Sequence, residues 1–316
     1  MNLIDVQKTF KSDDECMEHL ANLRWPDGVR CVTCGSAEVK QYVSPTKKQP
    51  NRKIYQCLES TCKEQFTATA GTIFHDTHLP LTKWFVALSI IVDAKKSISA
   101  KQLQRHLDVG YKTAWYLAHR IRKAMEETGS PLLTGTVEID ETYIGGKQKG
   151  YKRMRKNKDV VMGIRQRGGD LRLIHVEDNK SETLSEQIKK HVSPNVLKIV
   201  TDEYAGYPAA MMSAGIHGSK HETIKHKEKV YVVGDVHTNT VESAFSLLKR
   251  GIIGSFHYIS IKHLPRYLSE FEYRFNRIDR KGEPKQDVFT ETLARMAKAQ
   301  PMPFTALTSD ENTNSR

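Results

Sequence analysis

The sequence predicts an α/β fold that is preceded by a small metal-stabilised region and a helical region. Three observations predict it: two cysteine pairs near the amino terminus, a stretch with apolar residues at helical spacing, and, after Pro131, short β-type segments that alternate with helical ones. A chain of 316 residues exceeds the usual single domain. We therefore expect several modules, covering residues 1–78, 79–130, 131–280 and 281–316.

The chain is strongly basic, with 49 Lys and Arg against 37 Asp and Glu and a formal net charge of +12. Lys and Arg gain affinity for polyanions because they release counterions from phosphates. Nucleic acid is therefore the predicted partner, with an anionic membrane surface second. The longest apolar segment, 84–92, is too short to span a bilayer and no signal-like segment precedes it. We expect a soluble cytoplasmic protein.

Four of the five cysteines form two pairs that resemble a zinc site. Cys31 and Cys34 make a C-x-x-C pair, and Cys57 and Cys62 make a wider pair with four residues between them. Four thiolates close a tetrahedral structural zinc site in a segment too small to build its own core. The wider second pair predicts a longer turn there. Cys16 lies in a helical pattern and is predicted to be a buried apolar residue; unligated thiols are the alternative for the four.

Three helices are predicted between residues 81 and 125, where apolar residues recur at helical spacing. Ser99 begins the second helix, and Gly110 marks a tight turn before the third. A helix, a short turn and a second helix form the helix-turn-helix layout, whose second helix enters the major groove. The side chains predicted to contact DNA there are Lys112, Thr113, His119, Arg120 and Arg122. A helical spacer with a solvent-exposed basic face is the alternative.

The segment after Pro131 is predicted to contain four strands and a helix. The strands cover residues 136–144, 159–167, 171–177 and 196–201, and the helix covers 181–191. Three strands, a crossover helix and a further strand are the order of a ribonuclease-H-like α/β core.

Two aspartates lie where such a sheet would bring them together. Asp140 is in the first strand, and Glu138 shares its face because side chains alternate with a period of two. Asp202 follows the fourth strand, at the end where open sheets bind ligands. Clustered carboxylates hold the two Mg²⁺ ions of two-metal phosphoryl chemistry. We therefore predict that Asp140 and Asp202 are metal ligands, with Glu138 as an auxiliary residue.

A later helix is predicted to supply the third ligand. Asn239, Glu242 and Lys249 share its polar face at helical spacing. Glu242 would complete the metal site, and Lys249 would face the substrate phosphates. The alternative is that residues 239–242 form a capping signature, in which the glutamate satisfies a backbone amide. His237, just before the helix, is predicted either to assist at the site or to cap it.

Two further segments carry predictions. A basic loop between the first two strands is expected to hold the DNA backbone beside the metal site, with a mobile charged hairpin as the alternative. Its residues are Lys152, Arg153, Arg155 and Lys156. A later stripe at helical spacing is expected to close the core. Its residues are Tyr258, Leu264, Tyr267, Leu268, Phe271 and Phe275. The polar tail after Phe304 is expected to be disordered.

Three runs of residues together resemble one family. They are VEIDETYIGGK at 137–147, TDEYAGY at 201–207, and HTNTVES with LLKR at 237–250. They closely resemble the DDE transposases of bacterial insertion sequences with an amino-terminal zinc ribbon, the ISXO-type group, to which eukaryotic Merlin-type elements look related. The resemblance implies an integrase-type, ribonuclease-H-like catalytic core. It also implies an enzyme that binds terminal inverted repeats, cleaves DNA with a metal-activated water and joins the 3′-hydroxyl ends to target DNA.

The resemblance also implies site residues, ions and assembly. Asp140, Asp202 and Glu242 correspond to the catalytic triad, which uses Mg²⁺ or Mn²⁺. Some members carry asparagine in the third place, so Asn239 is the alternative, and Glu242 is favoured because a carboxylate binds Mg²⁺ better than an amide. A dimer or larger homo-oligomer is expected, since two DNA ends must be brought together. A nuclease without joining activity and a domesticated DNA-binding regulator are the alternative functions.

Overall fold

The structure is a computed structural model that describes residues 1–46, 49–145, 159–224, 237–278 and 287–309. The chain forms two compact units: residues 1–125 with 284–316, and residues 126–283. None of the helices in these described ranges is long and apolar enough to cross a membrane.

The secondary structure in the described ranges is mostly helical in the first unit and mixed in the second. The helices are α1 (Leu3–Thr9), α2 (Asp13–Arg24), α3 (Leu81–Asp93), α4 (Ala100–Leu107), α5 (Tyr111–Ala124), α6 (Ser181–His191), α7 (Gly206–Ser213), α8 (Asn239–Gly251), α9 (Leu264–Asn276), α10 (Val288–Lys298) and α11 (Thr305–Thr308). The strands are β1 (Val39–Val43), β2 (Lys53–Cys57), β3 (Gln65–Phe66), β4 (Thr136–Ile144), β5 (Asp159–Gln166), β6 (Leu171–Val176), β7 (Lys198–Thr201) and β8 (His221–Thr223).

Strands β1, β2 and β3 form a small antiparallel sheet in the first unit. Its core is an aromatic cluster in which the rings of Trp25, Tyr55 and Phe66 lie 5.4 to 5.9 Å apart. Buried Cys31 and Cys57 pack against this cluster. A core of this size stabilises little on its own, so the segment depends on a further link such as a metal.

The three helices predicted between residues 81 and 125 are confirmed as α3, α4 and α5. The side chain of Ser99 caps α4 by accepting a hydrogen bond from the Gln102 amide at 3.1 Å. Helix α10 packs against α2, α3 and α5. Ordered structure extends past Phe304, where the sequence predicted disorder, because α11 buries Leu307. The apolar side chain gives this short tail something to bury.

The second unit contains a five-stranded mixed sheet in the order β6-β5-β4-β7-β8. Strand β5 runs antiparallel to both its neighbours, whereas β7 is parallel to β4 and to β8. The predicted bounds of β4 and α6 are confirmed, and the strand predicted at 196–201 begins two residues later. Strand β8 was not predicted, because three polar residues carry no alternating pattern.

Helices cover both faces of this sheet. On one face, Val137 and Ile139 of β4 pack with Tyr207 of α7 in a core that also includes α6. On the other face, Val161 of β5 packs with Phe245 of α8, in a core that α9 completes. Because side chains alternate along a strand, the even-numbered residues of β4 face α8 and the odd-numbered ones face α7.

Candidate active site and zinc site

The four paired cysteines converge on one point. Their Sγ atoms all lie within 4.8 Å of one another, with 3.7 Å between Cys31 and Cys62 and 3.6 Å between Cys34 and Cys57. Zinc–thiolate bonds of about 2.3 Å in a tetrahedron imply sulfur separations of about 3.8 Å. The geometry therefore fits a structural zinc ion. Among the residues that the structure describes, this is the one cluster of three or more Cys, His, Asp or Glu ligand atoms so close together.

The backbone turns around the cysteines match their spacing. Gly35 has φ +77 and its amide donates to the Cys31 carbonyl at 2.9 Å, which closes the tight first turn. The wider pair, Cys57 and Cys62, encloses a separate turn in which the Cys62 amide donates to the Glu59 carbonyl at 3.1 Å. The longer turn expected from the spacing is present.

Asp140 lies in β4, and Asp202 directly follows β7, the neighbouring parallel strand. The register between β4 and β7 pairs Glu138 with Val200, two residues before each aspartate. Both aspartates are half-buried. The amide of Tyr204 donates to Asp202 Oδ1 at 3.0 Å, which orients this carboxylate in the turn after β7. The parallel pairing thus brings together two acids that are 62 positions apart in the sequence.

A third acid, Glu141, lies beneath the aspartates on the opposite face of β4. The Tyr207 hydroxyl donates to its Oε1 atom at 2.7 Å. Burial raises the pKa of Glu141 to about 7, and the charges of Asp140 and Asp202 contribute to the increase. Glu141 was not among the site residues predicted from the sequence. The alternating pattern of β4 contained the signal, since it places Glu141 on the buried α7 face.

Glu138 is fully buried and holds the amino terminus of α8. Its Oε2 atom accepts hydrogen bonds from the Thr240 amide at 2.9 Å, the Thr240 hydroxyl at 2.7 Å and the Val241 amide at 3.1 Å. Its Oε1 atom accepts from Arg167 Nε at 2.6 Å and lies 3.2 Å from His237 Nδ1. With both oxygens bound, Glu138 serves as the helix's anionic cap. The His237 carbonyl accepts a hydrogen bond from Arg167 Nη2 at 2.9 Å, which links its backbone to the same arginine.

Glu242 lies in the first turns of α8. The helix begins at Asn239 with Thr238 as its N-cap, and Glu242 Oε1 accepts a hydrogen bond from the Thr238 hydroxyl at 2.7 Å. Glu138 accepts from the Thr240 and Val241 amides, and the alternative in which Glu242 satisfies a backbone amide of a capping signature stays an untested interpretation. Asn239 is exposed at the first helical position, and Lys249 is exposed two turns after Glu242.

Gly163 of β5 controls how closely α8 approaches the sheet. It pairs with Asp140 across the β4–β5 ladder. A Cβ atom added to Gly163 would lie 2.6 Å from Phe245 Cζ and 2.9 Å from Val241 Cγ2. Helix α8 therefore packs directly against the backbone beside Asp140. Gly163 was not predicted from the sequence to be important, although a glycine inside a strand signals a close approach of this kind.

Two of the arginines predicted to contact DNA are inside the protein. Arg120 and Arg122 are buried. The guanidinium of Arg120 donates to the Ile73 carbonyl and, at 2.9 Å, to the His75 carbonyl, and it lies 4.8 Å from the centre of the Trp84 ring. This corrects the sequence-based assignment: the charge of Arg120 is used to bind carbonyl groups within the first unit.

The remaining predicted DNA contacts divide between exposed and undescribed residues. Lys112 is exposed at the start of α5, and its ammonium lies 4.3 Å from the centre of the Phe304 ring. The other predicted contacts lie outside the residues that the structure describes; they are Lys152, Arg153, Arg155 and Lys156.

Comparison with known proteins gives matches for both parts of the chain. Residues 132–276 match the ISXO2-like transposase domain, and residues 11–65 match the transposase zinc-ribbon domain. A relative described as an uncharacterized protein in transposable element ISH50 of Halobacterium salinarum is 28% identical over 306 residues, which cover 90% of this chain and 98% of that protein.

Among solved structures, the chain is similar to one from the cryo-EM structure of a simian T-cell lymphotropic virus intasome in complex with PP2A regulatory subunit B56 gamma. The identity is 15% and the TM-score 0.30, with 65% of this chain and 70% of that chain covered. The cysteine cluster and the two domain matches define the protein as a transposase with an amino-terminal zinc ribbon. Residues 132–276 thus match an ISXO2-like transposase domain and residues 11–65 a transposase zinc-ribbon domain, as the resemblance predicted.

Proposed function

We propose that this transposase binds the terminal inverted repeats of its own element and catalyses metal-dependent cleavage and strand transfer of DNA. The observation that supports the proposal is the parallel pairing of β4 with β7, which brings the strand that carries Asp140 next to the strand that ends directly before Asp202. Glu242 belongs to α8, which packs on the face of β4 that carries Asp140. Three acids from distant parts of the chain are thus held by one sheet and one helix.

The topology supports a ribonuclease-H-like core as the fold of this unit. Numbered within the unit, the strands have the order third, second, first, fourth, fifth, and the second runs antiparallel to the others. The first and fourth strands, which carry or precede the two aspartates, are then neighbours at the sheet's centre. In open sheets, ligands bind at the carboxyl ends of the strands, which is where Asp202 lies.

In the proposed mechanism, Asp140, Asp202 and Glu242 hold two Mg²⁺ or Mn²⁺ ions, with Asn239 as an auxiliary ligand. Oxygen ligands of this type suit both ions, which when bound supply an activated water and neutralise charge on the phosphate. Lys249 lies on the same helix as Glu242 and binds the substrate phosphate. Glu138 keeps α8, and therefore Glu242, in its position against β4.

The remaining parts have supporting roles in the proposal. The zinc ribbon holds one structural zinc ion and contributes to recognition of the element ends, together with the exposed start of α5. DNA is the partner that the net charge of +12 favours. Because transposition joins two ends in one complex, the active form is a homodimer or a larger homo-oligomer.

A strand-transfer assay tests the proposal. The purified full-length protein is incubated with Mg²⁺ or Mn²⁺, target DNA and duplexes that carry the repeats flanking its gene. Joined products are expected. Cleavage without joining would favour a nuclease, and binding alone would favour a regulator. Asp202→Asn should abolish both steps, whereas Glu203→Gln, the matched control one position later, should retain them.

A further inference from the structure

The connection between α8 and α9 exposes large apolar side chains to solvent. Ile253 and Tyr258 are each 70% exposed and Ile261 is 49% exposed, within nine positions. The sequence predicted Tyr258 to be in the core, together with Leu264 and Leu268. Those two leucines are buried, whereas Tyr258 is not. Three large apolar side chains exposed within so short a segment are candidates for contact with a partner.

We call residues 249–262, the last residues of α8 and the turn that follows them, the α8–α9 connection. Its backbone conformation and its contacts with the core hold it in place. Helix α8 continues into a π-helical turn, Ile252–Phe256, which ends at His257 with φ +60. A positive φ at a non-glycine residue is unfavourable and persists where its surroundings enforce it. Ile259 is buried in the core, and the Phe256 ring packs edge-on against Tyr267 at 4.7 Å. The exposed side chains are therefore presented from an ordered turn.

The charged residues in the segment that carries these side chains are all basic. Residues 243–269 contain four Lys or Arg and no Asp or Glu. Lys249 and Arg250, at the start of the connection, are exposed, and neither has an ion pair with a described residue. A second copy of the same surface would bring like charges together, which disfavours pairing between copies. A partner that is both a polyanion and a source of apolar surface best fits exposed apolar side chains next to basic ones.

We propose that the α8–α9 connection is a wedge that contacts the DNA substrate. Lys249 and Arg250 bind backbone phosphates, while Ile253 and Tyr258 insert against the bases and partly unstack one step. Apolar and aromatic side chains act in this way on duplex and single-stranded DNA. This inference rests on the proposed function, because it assumes that α8 lies along the DNA at the cleavage site.

The position of the wedge along the DNA follows from the length of the helix. Ile253 lies eleven positions after Glu242 in one continuous helical segment. At a rise of 1.5 Å per residue the two are roughly 16 Å apart along the axis. With about 3.4 Å per base pair, the unstacked step lies at most about five base pairs from the cleaved phosphate. Steps farther away should remain stacked.

The test uses the full-length protein with Asp202→Asn, so that DNA is bound without being cleaved. Duplexes of the element end carry 2-aminopurine at single steps up to ten base pairs from the cleavage site. Fluorescence should increase at one step within about five base pairs. Combining Ile253→Ala with Tyr258→Ala should remove this increase and weaken binding about tenfold, whereas Tyr258→Phe should preserve both. The matched control is Met212→Ala, which removes another exposed apolar side chain of the same unit.

Two further measurements complete the test. Arg250→Ala should reduce the slope of log binding constant against log salt by about one, as expected for one lost phosphate contact. Unchanged fluorescence, affinity and salt slope in folded variants would overturn the inference. So would a loss of self-association in sedimentation with DNA binding intact, because it would identify an interface between copies. If the protein that retains Asp202 joins DNA ends but the Ile253, Tyr258 and Arg250 variants bind DNA like the parent protein, only the wedge is wrong. If the protein that retains Asp202 neither cleaves nor joins DNA, the proposed function is wrong.

Discussion

Gly163 and Phe245 touch so closely that no side chain fits between them: a Cβ on Gly163 would lie 2.6 Å from Phe245 Cζ. This contact sets the distance between α8 and the strand pair that carries Asp140. In the proposed mechanism, the position of Glu242 relative to Asp140 therefore depends on the absence of a side chain at Gly163.

Gly163→Ala should destabilise the protein by about 1–3 kcal/mol, because overpacking moves side chains and backbone in a filled core. Gly163→Ala should also reduce the rate of metal-dependent cleavage by more than the increase in unfolded protein explains, since the displaced helix carries Glu242. Urea unfolding and a cleavage assay measure the two effects. Gly218→Ala is the control, because its added Cβ would meet nothing within 4 Å. Equal behaviour of the two variants would contradict the proposed role of the close approach.

Glu138→Ala should cost about 3–5 kcal/mol, since it leaves the buried Arg167 contact and the amides of Thr240 and Val241 without their acceptor. Glu222→Gln is the comparison, because Glu222 pairs with Lys198 near the surface, where such pairs contribute about 1 kcal/mol or less. Thermal or urea unfolding gives both numbers. A loss at Glu138 no larger than that at Glu222 would show that the anchor contributes little.

Glu272 should make stability depend on pH. Burial raises the pKa of Glu272 from 4.5 to about 7. Its Oε2 atom accepts a hydrogen bond from the Leu173 amide at 2.7 Å. Between pH 4.5 and 7 the folded protein binds more protons at this residue than the unfolded chain does, so stability falls as pH rises through this window. The loss is at most about 3 kcal/mol.

The Glu272 prediction is checked by the difference between two unfolding series. Glu272→Gln keeps an acceptor for the Leu173 amide, but the glutamine side chain does not ionise in this pH range. Its stability should therefore fall less steeply than that of the unmodified protein between pH 4.5 and 7. Parallel curves would rule out a raised pKa at this residue.

Cys57→Ser should release the proposed zinc ion and lower the melting temperature of the ribbon, because structural zinc supplies folding free energy in small domains. Metal analysis of the purified protein should show about one zinc per chain before the substitution and much less after it. Cys16→Ala is the control: Cys16 is fully buried in α2, away from the cluster, and its loss should leave the zinc content unchanged. Equal zinc contents would contradict the ligand assignment.

The sequence by itself determined features that depend on neighbours in the chain. Cysteine spacing predicted the thiol cluster, and alternation along β4 placed Glu138 and Asp140 on one face. Periodicity also defined the bounds of β4 and α6, since a strand repeats every two residues and a helix every 3.6.

Tertiary structure alone decided which charged and aromatic side chains are exposed and can contact a partner. Arg120 belongs to a basic helix in the sequence but is buried against backbone carbonyls, and Tyr258 belongs to an apolar stripe but lies in solvent. Glu138, for which the sequence predicted only an auxiliary place at the metal site, holds a helix that begins about a hundred residues later. These outcomes depend on contacts between distant segments, and local periodicity contains no information about which segments will meet.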